Sequence, residues 1–457
     1  MNIKATIPTA ILAGLMVLSV FACCSSAVAE ATAPTWELGD GWATGFEKDL
    51  GAEFADEISN IEEELQDLAE IEVEEFDADG NVEFYVVFEV AEETSTYYTL
   101  TADMGQKLLF TLDVEVTASL PDEGTYDMSE EPDTSEKTIT LGASIDYALW
   151  THADIQIVKE TMAIESIGLE LHGSAVVEAS VTNFPNMEYD WDGSEETMTV
   201  SYENMEVWLG ADVNIDIDMD FIPSLDIFQF PFDSGDEWTV SSNATISGTI
   251  DGSLDVTGLP PEATEDMFSD DVMVANGITG FPIELDQLVI DEEDGPQITN
   301  GVFESQTVPI EFELACVGSN LVTLPNYGQV QVYILETEEG QRFNYSSDIK
   351  FMTSMEMDFA DLFGEMGPDV PFEMPEDTEF MDENDMAIGS VSVATAQSSI
   401  SEIADYQGGV SEGAEDGPSG NDDMNDFFFK APYFGIIIIV LVVVIVISVA
   451  FAAVKKK

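Results

Sequence analysis

The sequence predicts a mainly β protein, built as one large curved antiparallel sheet or as two β-sandwich-like units. Two observations predict this class. Apolar and polar residues alternate over many segments, as at Val82, Phe84, Val86, Phe88 and Val90. In addition, 45% of the residues are hydrophobic, which is too many for a disordered acidic chain. One apolar and one wetted face per strand is typical of antiparallel sheet.

Further segments with the same alternation follow along the chain and raise the expected strand count to at least about ten. They occupy 108–116, 139–149, 213–221, 246–256, 308–314, 329–335 and 343–351. A weak internal repeat relates residues 138–157 to residues 197–215, each with a tryptophan, at Trp150 and at Trp208. This repeat indicates either a duplication into two related units or a chance match between similar strands.

An amphipathic helix is predicted before the first of these strands. An apolar stripe at three- and four-residue steps suits a helix that packs on a sheet. Thr44 is the predicted N-cap, with Glu47 three residues later. The stripe consists of Phe46, Leu50, Phe54, Ile58, Ile61, Leu65 and Leu68.

The charge of the chain excludes one class of partner and suggests another. With 93 acidic and 11 basic residues, the formal net charge is −82. Nucleic acid is excluded, because its phosphates require clustered Lys and Arg. In the stretch VNIDIDMDF, Asp216, Asp218 and Asp220 share the polar side of a predicted strand. Such a ladder of like charges is either a solubilising surface or a salt-adapted one on which cations condense weakly.

Both ends of the chain carry targeting signals. Residues 1–29 read as a secretory signal peptide, with an apolar run from Ile7 to Phe21 and the small-x-small site Ala27-Val28-Ala29. Processing near Cys23 as a lipoprotein remains an alternative. At the other end, residues 431–454 are uncharged and long enough to span a bilayer. The basic tail 455–457 places the C-terminus in the cytoplasm and the bulk of the chain outside the cell.

The C-terminal segment resembles a known class of sorting signal. The order Pro432-Tyr433-Phe434, apolar helix and basic tail is similar to the tripartite sorting tails of archaeal surface proteins, although Tyr433 departs from their usual pattern. The resemblance covers only the last 26 or so residues and implies an acidic, halophilic cell-surface protein. It leaves open whether the tail is removed.

The predicted organisation therefore comprises a signal peptide, an ectodomain and an anchor. The segments are the signal peptide 1–29, a linker 30–44, the ectodomain 45–350, an acidic Met-rich segment 351–407, a stalk 408–430, the membrane helix 431–454 and the tail 455–457. A short helix followed by a loop is expected after Lys350. Gly, Ser, Asp and Glu dominate the stalk, and this composition predicts an extended, self-repelling chain.

Motifs that would carry chemistry are weak. His152 and His172 lie on separate segments without a second nitrogen or sulfur ligand nearby in sequence, so no catalytic residue, specific metal site or cofactor is predicted. Asp77 to Asn81 partly matches a calcium loop but is expected to be a turn. Cys316 is expected to be buried and inert.

Two sequons predict a glycoprotein, with Asn243 and Asn344 as the acceptors. Three functional classes remain. The first is a surface protein with a structural or interaction role, whose partners would be cations and surface-layer or other surface proteins. The second is a carrier or receptor for an apolar, lipid-like ligand, since a helix followed by a long meander resembles the lipid carriers built on a cupped sheet. The third, an enzyme, is not expected.

Overall fold

The computed structural model describes residues 31–49, 71–127, 133–191, 196–258, 280–287, 289–291, 297–338, 342–356 and 387–406. The predicted signal peptide, stalk, membrane helix and tail lie outside these residues. Within the described residues, no helix has the length and apolarity needed to cross a membrane.

The described residues form a mainly β structure, as the sequence predicts. The strands are β1 (Gly41–Asp49), β2 (Ile71–Glu93), β3 (Tyr97–Pro121), β4 (Gly124–Asp127), β5 (Thr134–Val158), β6 (Ile164–Trp191), β7 (Glu196–Leu225), β8 (Glu237–Thr257), β9 (Ile283–Glu284), β10 (Val289–Asp291), β11 (Gln297–Thr299), β12 (Val302–Leu324), β13 (Gly328–Thr337), β14 (Arg342–Ser346) and β15 (Phe351–Glu356). Val393–Ala404 form an α-helix, α1.

All the strands join one antiparallel sheet, which confirms the large curved sheet and not two separate sandwiches. Its order is β1-β2-β3-β5-β6-β7-β8-β12-β13-β14-β15, with short strands paired beside this path. The sheet curls until its first and last strands meet. Trp42 of β1 stacks on Phe351 of β15, with ring centroids 4.2 Å apart and planes 6° apart. We call this contact between β1 and β15 the seam.

The inner face of the curled sheet is apolar because the period of two sends every second side chain inward. At the end where β2 turns into β3 and β5 into β6, these side chains are fully enclosed, as Val90, Leu100 and Ile155 show with no exposed surface. The aromatic rings of this core are Trp36, Trp42, Tyr98, Phe88, Phe228, Phe232, Tyr333, Phe343, Tyr345 and Phe351. We call this end of the sheet the aromatic end.

The predicted N-terminal helix is wrong where the described residues test it. Gly41–Asp49 form strand β1, in which Trp42, Thr44 and Phe46 pair with Phe88, Val86 and Phe84 of β2. These side chains fit the strand period of two as well as part of the helical stripe. Hydrogen bonding to β2 favours the strand. The remainder of the predicted stripe, from Leu50 to Leu68, lies outside the described residues.

Two local expectations are also corrected. Asp77 to Asn81 do not form a turn, because they continue β2 and pair with residues 109–113 of β3. The helix expected after Lys350 begins instead as strand β15, whose Phe351 pairs with Ser346 of β14. In both places hydrogen bonds to a neighbouring strand stabilise the extended conformation, and such pairing cannot be predicted from the local sequence.

Residues 387–406, which we call the strap, hold the seam together. The backbone N–H of Ile388 donates to Thr353 O in β15 (3.0 Å), and that of Gly389 donates to Ala43 O in β1 (2.7 Å). Ser390 then exchanges hydrogen bonds with Gly45 of β1: its Oγ accepts from Gly45 N at 3.0 Å and donates to Gly45 O at 3.2 Å. The strap therefore bridges two strands that, among the described residues, pair only with β2 and with β14.

Candidate functional surfaces

The outer face of β7 carries the three aspartates of the predicted ladder. Asp216, Asp218 and Asp220 are all exposed. On β6 their partners are Glu170, Gly168 and Ser166. On β8 their partners are Thr249, Ser247 and Thr245. Only Asp216 faces a further carboxylate, and it also accepts a hydrogen bond from Thr249 Oγ1 at 3.4 Å. The ladder thus runs along one strand, and cation condensation on it stays a prediction.

His152 lies in a row of acidic residues that crosses the outer face. Its Nδ1 is 2.7 Å from Asp103 Oδ1 of β3, and its Nε2 is 3.8 Å from Asp154 Oδ1. Glu170 of β6 stands directly opposite His152, and Asp216 opposite Glu170. Sequence reasoning missed this grouping, because residues from four strands contribute to it. Nevertheless, no group of acidic, His and Cys side chains in the described part of the chain has the geometry to hold a metal ion.

His172 sits one strand further along, beside an amide side chain. Its Nδ1 lies 2.6 Å from Asn214 Oδ1 of β7. Trp150 is its register partner on β5, and the ring of Trp150 stacks on that of His152 with centroids 6.1 Å apart. The two histidines therefore lie on neighbouring strands of the same surface, each tied to a side chain of an adjoining strand.

Cys316 is buried, as the sequence predicts. Its side chain has no exposed surface and lies in the aromatic-end core. Burial raises the pKa of the thiol to about 11, because the thiolate would lose its hydration. A thiol in this state is a poor nucleophile at neutral pH.

The two predicted glycosylation sites differ in exposure. Asn243 is exposed on β8, where its Nδ2 donates to Ile222 O at 3.1 Å. Asn344 is half-buried on β14, and Ser346 of its sequon is fully buried. An acceptor asparagine must reach a modifying enzyme, so Asn243 is the better placed of the two sites.

Helix α1 packs on the outer face over β1, β2, β3 and β5. Ser392 caps it by accepting from Thr395 N at 3.1 Å. Ala396, Ile400 and Ile403 are its buried residues. They contact a patch formed by Ala43, Tyr85, Val87, Ala148 and the half-buried Trp150.

Small residues of the sheet let the helix approach closely. A Cβ added to Gly105 would lie 3.0 Å from Ile403 Cδ1 and 3.4 Å from Ile400 Cα. A contact at 3.0 Å is closer than carbon atoms pack comfortably. Glycine at position 105 therefore sets the depth at which the helix docks.

The last described residue of the strap is fixed by polar contacts. Tyr406 Oη donates to Asp146 Oδ2 of β5 at 2.6 Å. The Lys107 ammonium lies 4.2 Å from the centre of the Tyr406 ring. Burial, followed by the hydrogen bond to the Asp146 carboxylate, raises the pKa of Tyr406 to about 12. The described residues end here, and the predicted stalk 408–430 follows closely in the sequence.

Apolar rows continue along the inner face beyond the aromatic end. Phe110, Ile145, Val177, Leu209 and Val256 are register partners across β3, β5, β6, β7 and β8. All but the half-buried Phe110 are at least 91% buried. A separate cluster with Leu112, Val114 and Val116 follows further along β3. The inner face is thus apolar over most of the length of the strands.

One carboxyl group is unusual for its burial. Asp226, in the connection between β7 and β8, has a buried Oδ1 without a hydrogen-bond partner among the described residues. Burial raises the pKa of this carboxyl group to about 6, because ionisation would place a charge in a poorly hydrated position.

Comparisons with protein-family models, with curated proteins and with solved structures found no match to this chain.

Proposed function

We propose that this protein is a membrane-anchored extracellular surface protein with a structural or interaction role, adapted to salt and cations. The observation that carries the proposal is the division between the two faces of the sheet. At the aromatic end the interior is packed with the protein's own rings, among them Trp36, Trp42 and Phe351. The carboxylates Asp216, Asp218 and Asp220 are displayed outside. A partner would then meet the acidic outer surface.

The composition supports the proposed salt adaptation. At about 7 Å two like unit charges repel by roughly 0.6 kcal/mol in water, and this repulsion accumulates over a surface with few bases. Several of the lysines lie over aromatic rings, as Lys107 does over Tyr406 and Lys137 over Tyr202. At 1 M ionic strength the Debye length falls to about 3 Å, and this screening would remove most of the repulsion between the surface carboxylates.

The sequence signals at the two ends support the proposed location, a single-pass protein of the cell membrane with an external ectodomain. The order signal peptide, ectodomain, stalk 408–430 and apolar segment 431–454 fits this topology. The strap is the last described segment before the predicted stalk in the sequence, and with such a stalk the folded part would stand above the membrane.

Protease treatment of intact cells tests the proposed topology. A protease added outside should release a soluble fragment by cutting in the stalk, and the basic tail should stay with the cells. The matched control deletes 431–457, and this variant should appear in the medium without protease. Retention of the control on cells, or protection of the whole chain from protease, would overturn the proposed topology.

A second candidate function is an extracellular carrier or receptor for an apolar, lipid-like ligand. The row Ile145, Val177, Leu209 and Val256 favours it, because apolar side chains line the inner face well beyond the aromatic end. Organic extraction of protein purified from its own membrane, followed by mass spectrometry, should then yield a stoichiometric lipid. An Ile145→Asp variant should lose that lipid, and an Asp218→Asn control should keep it. Extracts without lipid from the unmodified protein would exclude this candidate.

A further inference from the structure

The strap occupies a position that matters for any load on the protein. It bridges β1 and β15 at the seam through Ile388 and Gly389. It is also the last described part of the chain before the predicted stalk. A pull from the membrane on the ectodomain would therefore reach the strap before it reaches any strand.

The contacts of the strap follow one another along the chain from its C-terminal end. The hydrogen bond from Tyr406 to Asp146 comes first. The buried side chains of Ile403, Ile400 and Ala396 follow, and they pack against the sheet one after another. Contacts loaded in series break one at a time, so their strengths do not add.

The long strands oppose such a pull differently. β3 pairs with β5 over the whole register from Tyr97 with Val158 to Pro121 with Thr134. β6 and β7 are paired over a similar length, from Ile164 with Leu225 to Trp191 with Glu196. A load along these strands is shared by many backbone hydrogen bonds at once. The strap is therefore held to the sheet by fewer hydrogen bonds than either pair of long strands.

Removal of the strap would also change the sheet. The described seam is held by rings, notably Trp42 on Phe351, and by indole hydrogen bonds such as Trp42 Nε1 to Ile349 O at 2.8 Å. Its bridging backbone bonds come from the strap at Ile388 and Gly389. Loss of the strap would remove the partners of Thr353 O in β15, Ala43 O in β1 and the Gly45 backbone, and it would leave these groups exposed at the strand edges.

We propose that residues 387–406 form a tension-sensitive latch, which peels from the outer face when the C-terminal side is pulled and thereby opens the seam while the long strands stay folded. The direction of pull rests on the proposed membrane anchoring, but the latch itself is a property of the described fold. Gly389 allows the strap to lie close to its neighbours at the seam. Its φ of +87° lies in the left-handed region, and an added Cβ would collide with Pro325 O.

Single-molecule pulling on the full chain in detergent tests the latch. Handles at Ser95→Cys, in the exposed β2–β3 turn, and at Ser411→Cys, in the predicted stalk, apply the load across the strap. Peeling of 387–406 should give a first, separate step of at least about 70 Å, at about 3.5 Å for each of its residues. The strands should rupture later and at higher force. Simultaneous rupture of strap and strands in one step would overturn the proposal.

Two further variants make the result specific to the strap. A Cβ at position 41 would lie 3.5 Å from Val393 Cγ2, so Gly41→Cys with Val393→Cys should form a disulfide. The oxidised lock should cut the first step to about 45 Å, and reduction should restore it. Ile403→Asp should lower the force of the first step alone, whereas the exposed-site control Ser398→Asp should not. An unchanged first step in both the lock and Ile403→Asp would contradict the latch.

Because the pulling experiment uses the purified chain, its failure would be distinct from a failure of the proposed topology, which only the protease experiment on cells tests.

Discussion

Replacement of Ile400 by alanine is the most direct test of how α1 is held. Ile400 is 4% exposed and lies between the helix and the outer face of the sheet. The change removes three carbon atoms, and at about 0.8 kcal/mol for each the transfer cost is about 2.4 kcal/mol. A cavity left by the missing atoms adds to this cost. Because the other side of the helix faces solvent, the helix can shift toward the sheet and fill part of that cavity. We expect a total of about 3 kcal/mol.

The assay has two readouts, because the helix can leave the sheet without global unfolding. Urea unfolding followed by tryptophan fluorescence reports the global free energy, and hydrogen exchange reports the local opening of Val393–Ala404. Ile400→Ala should accelerate exchange of the helix amides by roughly 100-fold, which corresponds to about 3 kcal/mol. Ser398→Ala, at an exposed position of the same helix, should change either readout by less than about 0.5 kcal/mol. Equal effects of the two substitutions would refute the packing argument.

Three other predictions follow from the described side chains. Because the folded-state pKa of Asp226 is raised to about 6, this group lowers stability progressively as pH rises from about 4 to about 6, and the full penalty persists above that. Asp226→Asn should therefore stabilise the protein at pH 7.5 by about 1 kcal/mol, a value reduced to allow for the partial exposure of the side chain, and should not change stability near pH 4. Chemical denaturation at both pH values measures this difference. A gain in stability that does not depend on pH would contradict the prediction. Cys316 should react with a thiol reagent far more slowly in the folded protein than in denaturant, and equal rates would place it at the surface. Combined substitution of Asp216, Asp218 and Asp220 by asparagine should raise the melting temperature in dilute buffer and leave it nearly unchanged in molar salt. If the unmodified protein instead binds calcium saturably and the substituted protein does not, the three carboxylates form a specific metal site.

The β architecture could be predicted from the sequence because apolar and polar residues alternate with a period of two in the long strands. Val82 to Val90 and Ile139 to Leu149 fall within β2 and β5, and every second side chain, such as Phe88, faces inward. The same method failed for 41–49, where Phe46 suits a helical step and a strand step equally well. The flanking strand β2 decided the outcome there.

Helix α1 was missed although the sequence contains its signal. Val393, Ala396, Ile400 and Ile403 follow each other at three- and four-residue steps, and Ser392 stands in the N-cap position. The helix is short and follows a Met- and acid-rich stretch, whose composition favours a loop. Its docking on Gly105 could not be predicted, because nothing local marks that glycine as a contact.

The sequence by itself determined which side chains share a face, how acidic the outer face is and that Cys316 lies inside. These properties follow from alternation and composition, which act over a few neighbouring residues. Only the tertiary structure decided that the sheet is single, that β1 and β15 meet at a seam and that the strap closes it. The physical reason is separation along the chain: the hydrogen bond from Trp42 to Ile349 O joins residues 307 positions apart, and no local pattern specifies such a contact.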